Sequence, residues 1–472
     1  MVLEIINSAA QDKNLYSPKI RFRLMAASCF ILLCSFFSLV FFREISVKIP
    51  ALYIITGSAM YLIILYKNSF SKYEAGIFFF LFIQLLALAP KFNDLTSELA
   101  STFLLSFRYG VSSRSFQGTI IDFLSNGSFV SKYFVWHFIF CSLLFFIFLI
   151  AVFLNSVIKK SKDNTKSMVL FLSILLLTCF VSPATYFAPH NFGRSEVFAL
   201  IFTLLSIAVI DKPYIKWVIP FFALFILSTH LIFIFFYIPF IFILLFYKLD
   251  GQKNRKEYIA LFFTSFAVII TSFILYILFH KQTFVFPNAE AFAEYLRTKT
   301  NINFSNDYIH SIFFADLKDH LLGRDERMAK GFLKFSGNIS IIINFPLILM
   351  FAHFWIKCFL HEKQQFMKLF FALPVLLFIY HIPVFFIFFD FGRWMAMIIQ
   401  VQLLLVFYLI YTENKTALFV TEKIVPVINR NWYPIIIACS LMLFLGPARE
   451  LPSSRVRHII DGFLLFFFNT SF

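Results

Sequence analysis

FVWHFIFCSLLFFIFLIAVFLNSV, residues 134–157, contains no Asp, Glu, Lys or Arg. A helix that crosses the hydrocarbon core of a bilayer needs about 20 predominantly apolar residues, so this stretch is long enough to span a membrane. The whole chain has the same character, because 60% of its 472 residues are hydrophobic and only 14% are charged. Soluble domains carry about 25% charged residues. These features predict an all-α, polytopic helical membrane protein.

Further apolar runs predict the other transmembrane helices. Together they give about thirteen spans, and roughly 11–14 fit the same hydropathy pattern. The predicted spans are residues 24–42, 50–66, 75–90, 134–157, 168–187, 195–210, 214–229, 231–247, 258–280, 338–356, 369–389, 392–412 and 433–447. No small-residue cleavage site follows the first run, so we expect it to be retained as a span. All of them belong to one integral membrane domain, residues 1–472.

The basic residues predict the orientation. Lys and Arg concentrate in the cytoplasmic loops of membrane proteins, and this chain has a formal net charge of +16. With the N-terminus in the cytoplasm, most of the excess falls in cytoplasmic segments, of which LNSVIKKSKDNTK and YKLDGQKNRKE are the clearest. The charge therefore indicates orientation and contact with membrane lipids, and not the binding of nucleic acid.

Two of the outside segments are long, residues 91–133 and 281–337. Both contain amphipathic stretches and neither has a low-complexity composition. The clearest stretch is FADLKDHLLGRDERMAKGFLKF, residues 314–335, in which apolar side chains recur near helical spacing. We therefore predict two sizeable outside loops that contain short amphipathic helices at the membrane surface.

Two similar motifs lie between long apolar runs: HNFGRSEVFAL, residues 190–200, and FFDFGRWMAM, residues 388–397. On the predicted topology both lie at the outer ends of helices. Asn191 and Asp390 are predicted to be the N-caps of the helices that follow. The glycine of each motif would allow close approach of a ligand or a neighbouring helix.

Arg194 and Arg393 come directly after these glycines, near helix N-termini that already favour anions. The planar guanidinium fork suits phosphate, because it binds pairs of oxygen atoms. Arg108 and Arg114 form a third Arg–Gly site in the first long loop. Taken alone, Asp390 and Arg393 also fit a structural ion pair. Three such sites on one face favour a common anionic ligand.

Candidates for a general base lie on the same face, because His and carboxylates can accept a proton near neutral pH. Those that we favour are His190, Glu196 and Asp390. His230 lies at a predicted outer turn, where a packing role is the commoner one for histidine. The run GRDERMAKG, residues 323–331, adds Arg324 and Arg327 as substrate-binding candidates, although such runs are more often solvated helix faces.

The cysteines and acidic residues show no metal or disulfide pattern. All six cysteines fall inside apolar runs, without CxxC spacing, and there is no HExxH, EF-hand or DxD sequence. We therefore predict no disulfide framework, no metal and no cofactor.

The layout resembles that of the Wzy-type O-antigen and capsular polysaccharide polymerases and their O-antigen ligase relatives. The resemblance lies in the Phe- and Leu-rich spans, the short inner loops, the two long outer loops and the outward arginines. The resemblance concerns the arrangement of spans and loops, and it extends over most of the chain. The RX10G pattern of some polymerases is not cleanly present, because Gly118 follows Arg108 one residue short of that spacing, which puts the assignment of Arg108 in doubt.

The resemblance implies a bacterial inner-membrane enzyme whose active site faces the periplasm. Its reaction would be an inverting, metal-independent glycosyl transfer between repeat units that are linked to undecaprenyl diphosphate. The arginines would stabilise the departing diphosphate, and a carboxylate or histidine would deprotonate the acceptor hydroxyl. The partners implied are the lipid-linked oligosaccharide, membrane lipids and a chain-length regulator protein.

Two other functions fit the sequence less well. A glycosyltransferase of the GT-C class would use a polyprenyl-phosphate sugar from the same side, but such enzymes usually carry an acidic motif in the first outer loop. Here that loop has Glu44 alone. A lipid-linked oligosaccharide flippase would have shorter loops and charges that line a central cavity.

Overall fold

The computed structural model describes residues 17–42, 44–67, 69–91, 95–112, 114–127, 129–178, 182–187, 191–250, 254–280, 283–304, 306–310, 335–382, 384, 391–434 and 437. In these ranges the regular secondary structure is helical, apart from one isolated β-bridge between Val130 and Thr300.

Seventeen α-helices lie in these ranges and are numbered here in chain order. They are α1 Pro18–Phe41, α2 Ile45–Lys67, α3 Lys72–Leu88, α4 Ser97–Thr102, α5 Phe116–Ser125, α6 Lys132–Lys160, α7 Asp163–Thr178, α8 Ser195–Val209, α9 Ile219–Thr229, α10 Tyr237–Lys248, α11 Arg255–Phe279, α12 Ala289–Lys299, α13 Asn306–Ile309, α14 Phe335–His361, α15 Gln365–Tyr380, α16 Phe391–Tyr411 and α17 Lys415–Arg430. The 3-10 segments are Phe107–Tyr109, Pro183–Tyr186, Ile215–Val218 and Leu231–Ile234.

Length and composition identify the membrane helices. Among the described residues, six segments are long and apolar enough to cross a bilayer: Pro18–Phe41, Ile45–Lys67, Lys132–Lys160, Leu231–Lys248, Arg255–Phe279 and Arg393–Tyr411. Four shorter apolar helices accompany them: Ser195–Val209, Ile215–Thr229, Phe345–His361 and Gln365–Tyr380. The prediction of a helical membrane protein is confirmed. The count of thirteen stays a prediction, and the proposed last span, 433–447, lies largely outside the described residues.

The structure corrects two details of the predicted spans. The run 168–187 does not form one helix, because α7 ends at Thr178 and the 3-10 turn Pro183–Tyr186 follows. Proline lacks the backbone N–H that a helix needs and its ring clashes with the preceding turn. The sequence analysis also missed α17, a helix with charged residues along its length.

α6 and α16 form the centre of the bundle. In the apolar stretch of each helix, 61% of the residues of α6 and 89% of those of α16 are buried inside the protein. The corresponding share is 17% for α1, α2 and α11. The surroundings of α16 are α6, α7, α10, α14 and α17. Its polar side chains therefore have protein partners in place of lipid. For example, the Trp355 indole Nε1–H donates to Gln402 Oε1 at 2.6 Å.

The described parts of the two long loops pack into one structure, which we call the loop layer (residues 95–131 and 283–304). The Val130 N–H donates to the Lys299 carbonyl at 2.7 Å, and the Val285 N–H donates to the Tyr109 carbonyl at 3.1 Å. The Tyr109 ring also lies 5.1 Å from that of Phe292. The two segments thus share backbone hydrogen bonds and an aromatic cluster.

Gly118, in α5, holds the loop layer together by close packing. A Cβ at this position would lie 1.9 Å from the backbone oxygen of Leu105, so the backbone would have to move. We expect Gly118→Ala to destabilise the protein by about 1–3 kcal/mol, and to make the loop layer more sensitive to protease. Thermal unfolding and limited proteolysis of the purified protein measure both effects.

Gly57→Ala in α2 is the matched control, because no atom lies within 4 Å of a Cβ built there. Equal thermal midpoints for the two variants would contradict the close-packing role of Gly118.

Candidate functional site

The structure brings the two FGR motifs together at the N-termini of α8 and α16. Gly193 has a positive φ of +87°, and a Cβ there would lie 2.6 Å from the Ile139 side chain of α6. This left-handed turn delays the start of α8, so that Arg194 is its N-cap. The prediction that Asn191 caps this helix is therefore wrong. Its carbonyl instead accepts the Arg194 N–H at 3.2 Å.

An ion pair joins the two helix starts. The Arg393 Nε atom lies 2.8 Å from Glu196 Oε1, and only 17% and 2% of the respective side chains are exposed. The Nε–H bond is not directed at a hydrogen-bond acceptor, so the contact is an electrostatic one. The Arg393 guanidinium also lies 4.3 Å from the Trp394 ring centre. Burying such a pair costs desolvation free energy, which makes it weak evidence for a purely stabilising role.

A neutral polar cluster lies close to the ion pair. The Tyr237 hydroxyl donates to Gln400 Oε1 at 3.0 Å, and the Tyr186 hydroxyl donates to the same oxygen at 3.4 Å. Burial raises the pKa of Tyr186, and the negative charge of Glu196 raises it further. Tyr186 therefore stays protonated and can donate a hydrogen bond. The sequence analysis missed this cluster, although Gln400 inside a long apolar run was a readable signal.

Arg114 and Arg393 act on the same histidine, His230. Burial lowers the pKa of this imidazole, and the positive charges of the two arginines lower it further. Its Nδ1 atom accepts the Ile232 N–H at 3.2 Å. The ring is part-buried, and its Nε2 atom is shielded from solvent without a hydrogen-bond partner in the described part of the chain. The neutral ring therefore carries its proton on Nε2, beside the two cations.

The other predicted residues fall into three groups. Arg194 is buried, two residues before Glu196. Arg108 is exposed in the loop layer, with NH1 3.8 Å from Asp122 Oδ1, and its charge acts on Tyr109. Its described contacts thus lie within the loop layer and do not include Arg393. The residues outside the described ranges are His190, Asp390, Arg324 and Arg327, together with most of the stretch 314–335, and for them the predictions stay predictions.

An apolar cavity of about 590 Å³ lies between α10, α11 and α15. Its walls include Ile238, Phe242, Phe266, Leu373, Leu377 and Tyr380. The Tyr380 ring lies 5.3 Å from Phe235, and the next residue, Phe236, stacks on Trp394 at 5.7 Å. Because Arg393 lies over the same Trp394, contacts of the consecutive residues Phe235 and Phe236 lead from Tyr380, on the cavity wall, towards the ion pair.

In the part of the chain that the structure describes, no group of three or more His, Cys, Asp or Glu side chains is arranged to hold a metal ion. The described cysteines, Cys29, Cys34, Cys141 and Cys358, are free thiols. The arrangement offers cations, a carboxylate and neutral hydrogen-bond donors around a point at one end of the bundle. Such a set can bind an anion and move a proton.

Comparison with protein-family models, with curated proteins and with solved structures found no match to this chain.

Proposed function

We propose that the protein is a membrane glycosyltransferase that polymerises oligosaccharide repeat units linked to undecaprenyl diphosphate, as in O-antigen or capsule synthesis. The observation that carries this proposal is the buried Arg393–Glu196 ion pair, which the structure combines with an apolar cavity between α10, α11 and α15. The pair offers a cation for a diphosphate and a carboxylate for a proton. The cavity offers a place for the isoprenoid chain.

The ion pair suggests how substrate binding prepares the site. A diphosphate that enters beside Arg393 competes with Glu196 for the guanidinium, because Arg binds phosphate oxygen pairs well. Glu196 is then released from Arg393 and can contact the acceptor hydroxyl. In the empty site Arg393 and Glu196 neutralise each other. In the occupied site the diphosphate takes the place of Glu196 beside Arg393.

The chemical step follows from these roles. The acceptor hydroxyl gives its proton to Glu196 while its oxygen forms a bond to the anomeric carbon of the donor sugar. The bond from that carbon to the diphosphate oxygen breaks, and the electron pair leaves with the diphosphate. Arg393, together with Arg194 and Arg114, stabilises the charge that develops on the leaving group.

The apolar cavity supports a lipid-linked donor. Its lining between α10, α11 and α15 is almost entirely hydrocarbon, and an isoprenoid chain gains free energy by leaving water for such surfaces. The chain would lie in the cavity, with its diphosphate beyond the Phe236–Trp394 stack at Arg393. Head and tail of one substrate would thus occupy connected sites.

We further propose that about thirteen spans hold the protein in the bacterial inner membrane, with the N-terminus in the cytoplasm. The end of the bundle opposite Arg393 supports this orientation. There Lys160 lies near Glu413 and Lys248 lies near Tyr408, and Lys159, Lys357 and Lys415 occupy the same helix ends. Basic residues favour the cytoplasmic side, so the ion pair would face the periplasm.

A deletion strain tests the proposal directly. We expect its surface glycan to stop at one repeat unit, with that unit accumulated on the periplasmic leaflet. Full-length polymer left on undecaprenyl diphosphate would indicate a ligase instead. Repeat units trapped on the cytoplasmic leaflet would indicate a flippase, and polymer of normal length that lacks a side sugar would indicate an enzyme of the GT-C class.

In this proposal the Nε2–H of His230, which has no hydrogen-bond partner in the described part of the chain, donates a hydrogen bond to the diphosphate. A pair of substitutions tests this role. Glutamine places an N–H near the position of Nε2, whereas asparagine places its amide near Nδ1. We expect His230→Gln to keep most of the polymerisation rate. We expect His230→Asn to lose about tenfold or more, since a hydrogen bond to a charged group contributes about 1.5–3 kcal/mol.

The rate of each His230 variant is measured against pH with purified protein and lipid-linked substrate. Both variants should keep the pH profile of the natural protein, because His230 is not the base in this proposal. If His230→Gln were as slow as His230→Asn, and its rate depended on pH differently from that of the natural protein, the base would be His230 instead.

A further inference from the structure

α17 (Lys415–Arg430) lies at the end of the bundle opposite Arg393. The Asn414 side chain caps it by accepting the Ala417 N–H at 3.0 Å. One face packs against α7, α14 and α16 through its buried residues Ala417, Leu418, Val420, Thr421 and Ile428. The helix is therefore fixed to the bundle. Its other face is exposed along most of its length, although the Phe419 ring lies 5.2 Å from the His361 ring of α14.

The outward face alternates between cations and apolar side chains. Lys415, Phe419, Lys423 and Val427 are spaced by four residues, so they lie along one face of the helix. All are exposed, Phe419 by 41% and Val427 by 61%. The Lys423 Nζ atom lies 5.3 Å from the Phe419 ring centre, so the lysine stem runs beside the aromatic ring.

The acidic residues around α17 are engaged by the protein. Glu413 lies 3.8 Å from Lys160, Glu422 is hydrogen-bonded to the Asn164 side chain, and Glu362 accepts the Thr416 hydroxyl at 2.6 Å. The outward face consequently has a net positive charge, to which exposed Arg430 adds at its end.

This pattern of side chains fits neither bulk water nor the hydrocarbon core of a membrane. Exposure of Phe419 and Val427 to water would be unfavourable. Burial of the charged lysines in the hydrocarbon core would also be unfavourable. At the boundary between headgroups and acyl chains, apolar side chains enter the lipid while lysine and arginine reach the phosphates. Trp432 and Tyr433 follow the helix, and these residue types are enriched at that boundary.

We infer that α17 lies in the membrane interface and that its outward face binds the headgroups of anionic phospholipids. The occupant is a phospholipid surface because the face combines a row of cations with exposed apolar side chains. Near an anionic leaflet each Lys or Arg favours association by a factor of about five. Lys415, Lys423 and Arg430 together are therefore expected to enrich anionic lipid strongly beside this helix.

The test uses the full-length protein in lipid nanodiscs, with Val427→Cys carrying a fluorophore and exposed Cys29 and Cys34 replaced by serine. The discs contain phosphatidylcholine and phosphatidylglycerol, and the quencher is attached to the headgroup of one lipid or the other. We expect the phosphatidylglycerol quencher to be several times more effective than the phosphatidylcholine quencher. In the variant Lys415→Gln/Lys423→Gln/Arg430→Gln the two should become equal.

The control variant Lys91→Gln/Arg297→Gln removes two exposed cations at the opposite end of the molecule, and it should keep the lipid preference. Equal quenching by both lipids in the natural sequence would overturn the inference. Absence of quenching by either lipid would also overturn it, since the face would then be covered by protein.

Discussion

Replacing Arg393 by alanine is expected to lower polymer formation by about 100-fold or more, because removing one preorganised partner of a developing negative charge costs about 10²–10³ in rate. The same substitution leaves Glu196 as a buried carboxylate without its cationic partner, which costs about 3–5 kcal/mol of stability. Arg393→Lys keeps the charge but loses the planar fork. We expect it to fold normally and to lose about tenfold in rate.

The double variant Arg393→Met/Glu196→Leu separates folding from activity. Replacing a buried ion pair by apolar side chains of similar volume is often neutral or stabilising, so its thermal midpoint should recover while polymer stays absent. The measurements are thermal unfolding in detergent and glycan length in a complemented deletion strain. Arg297→Gln, on the exposed side of α12, is the control for loss of an arginine. A fully active Arg393→Lys would argue against diphosphate binding by the fork.

Glu196→Gln is expected to lower the rate by about 10²–10⁴, the usual contribution of a positioned general base. The amide keeps the shape of the side chain but removes its charge, so we expect a loss of stability as for Arg393→Ala, and the rate is expressed per molecule of folded protein.

Single-turnover rates against pH, with purified protein and a lipid-linked repeat unit, measure this effect. Glu196→Asp is the companion variant, because it keeps the charge and shortens the reach to Arg393. If Glu196→Gln kept the natural rate, the base would lie elsewhere, and His190 and Asp390 would be the next candidates.

The helices were the most predictable part of the fold. The uncharged run 134–157 corresponds to α6, Lys132–Lys160, because a long apolar run without charge has one stable solution in a bilayer. α17 was missed because its charged residues lower its hydropathy, and its helical character shows only in the spacing of its buried face. Hydropathy alone therefore finds helices inside a membrane better than helices at its surface.

The site was predictable in part. The repeated FGR sequence indicated that Arg194 and Arg393 belong together. Arg194 caps α8, Arg393 lies in the first turn of α16, and the ion pair of Arg393 with Glu196 joins the two helix starts. The partner of Arg393 was not predictable, since Glu196 is distant in sequence and the nearer Asp390 was the obvious choice. The positive φ of Gly193 also shifted the N-cap from Asn191 to Arg194. Such local turns depend on packing, here against Ile139.

The bond between the two loops has a consequence for synthesis of the chain. The Thr300 hydroxyl donates to the Val130 carbonyl at 2.6 Å across 170 positions of sequence. A ribosome adds about 5–20 residues each second. Roughly ten seconds or longer therefore pass between the synthesis of Val130 and that of Thr300. During that interval α6 to α11 must enter the membrane. The contact between the two loops is thus completed late, after the helices between them are in place, and a chain truncated before residue 300 would lack it.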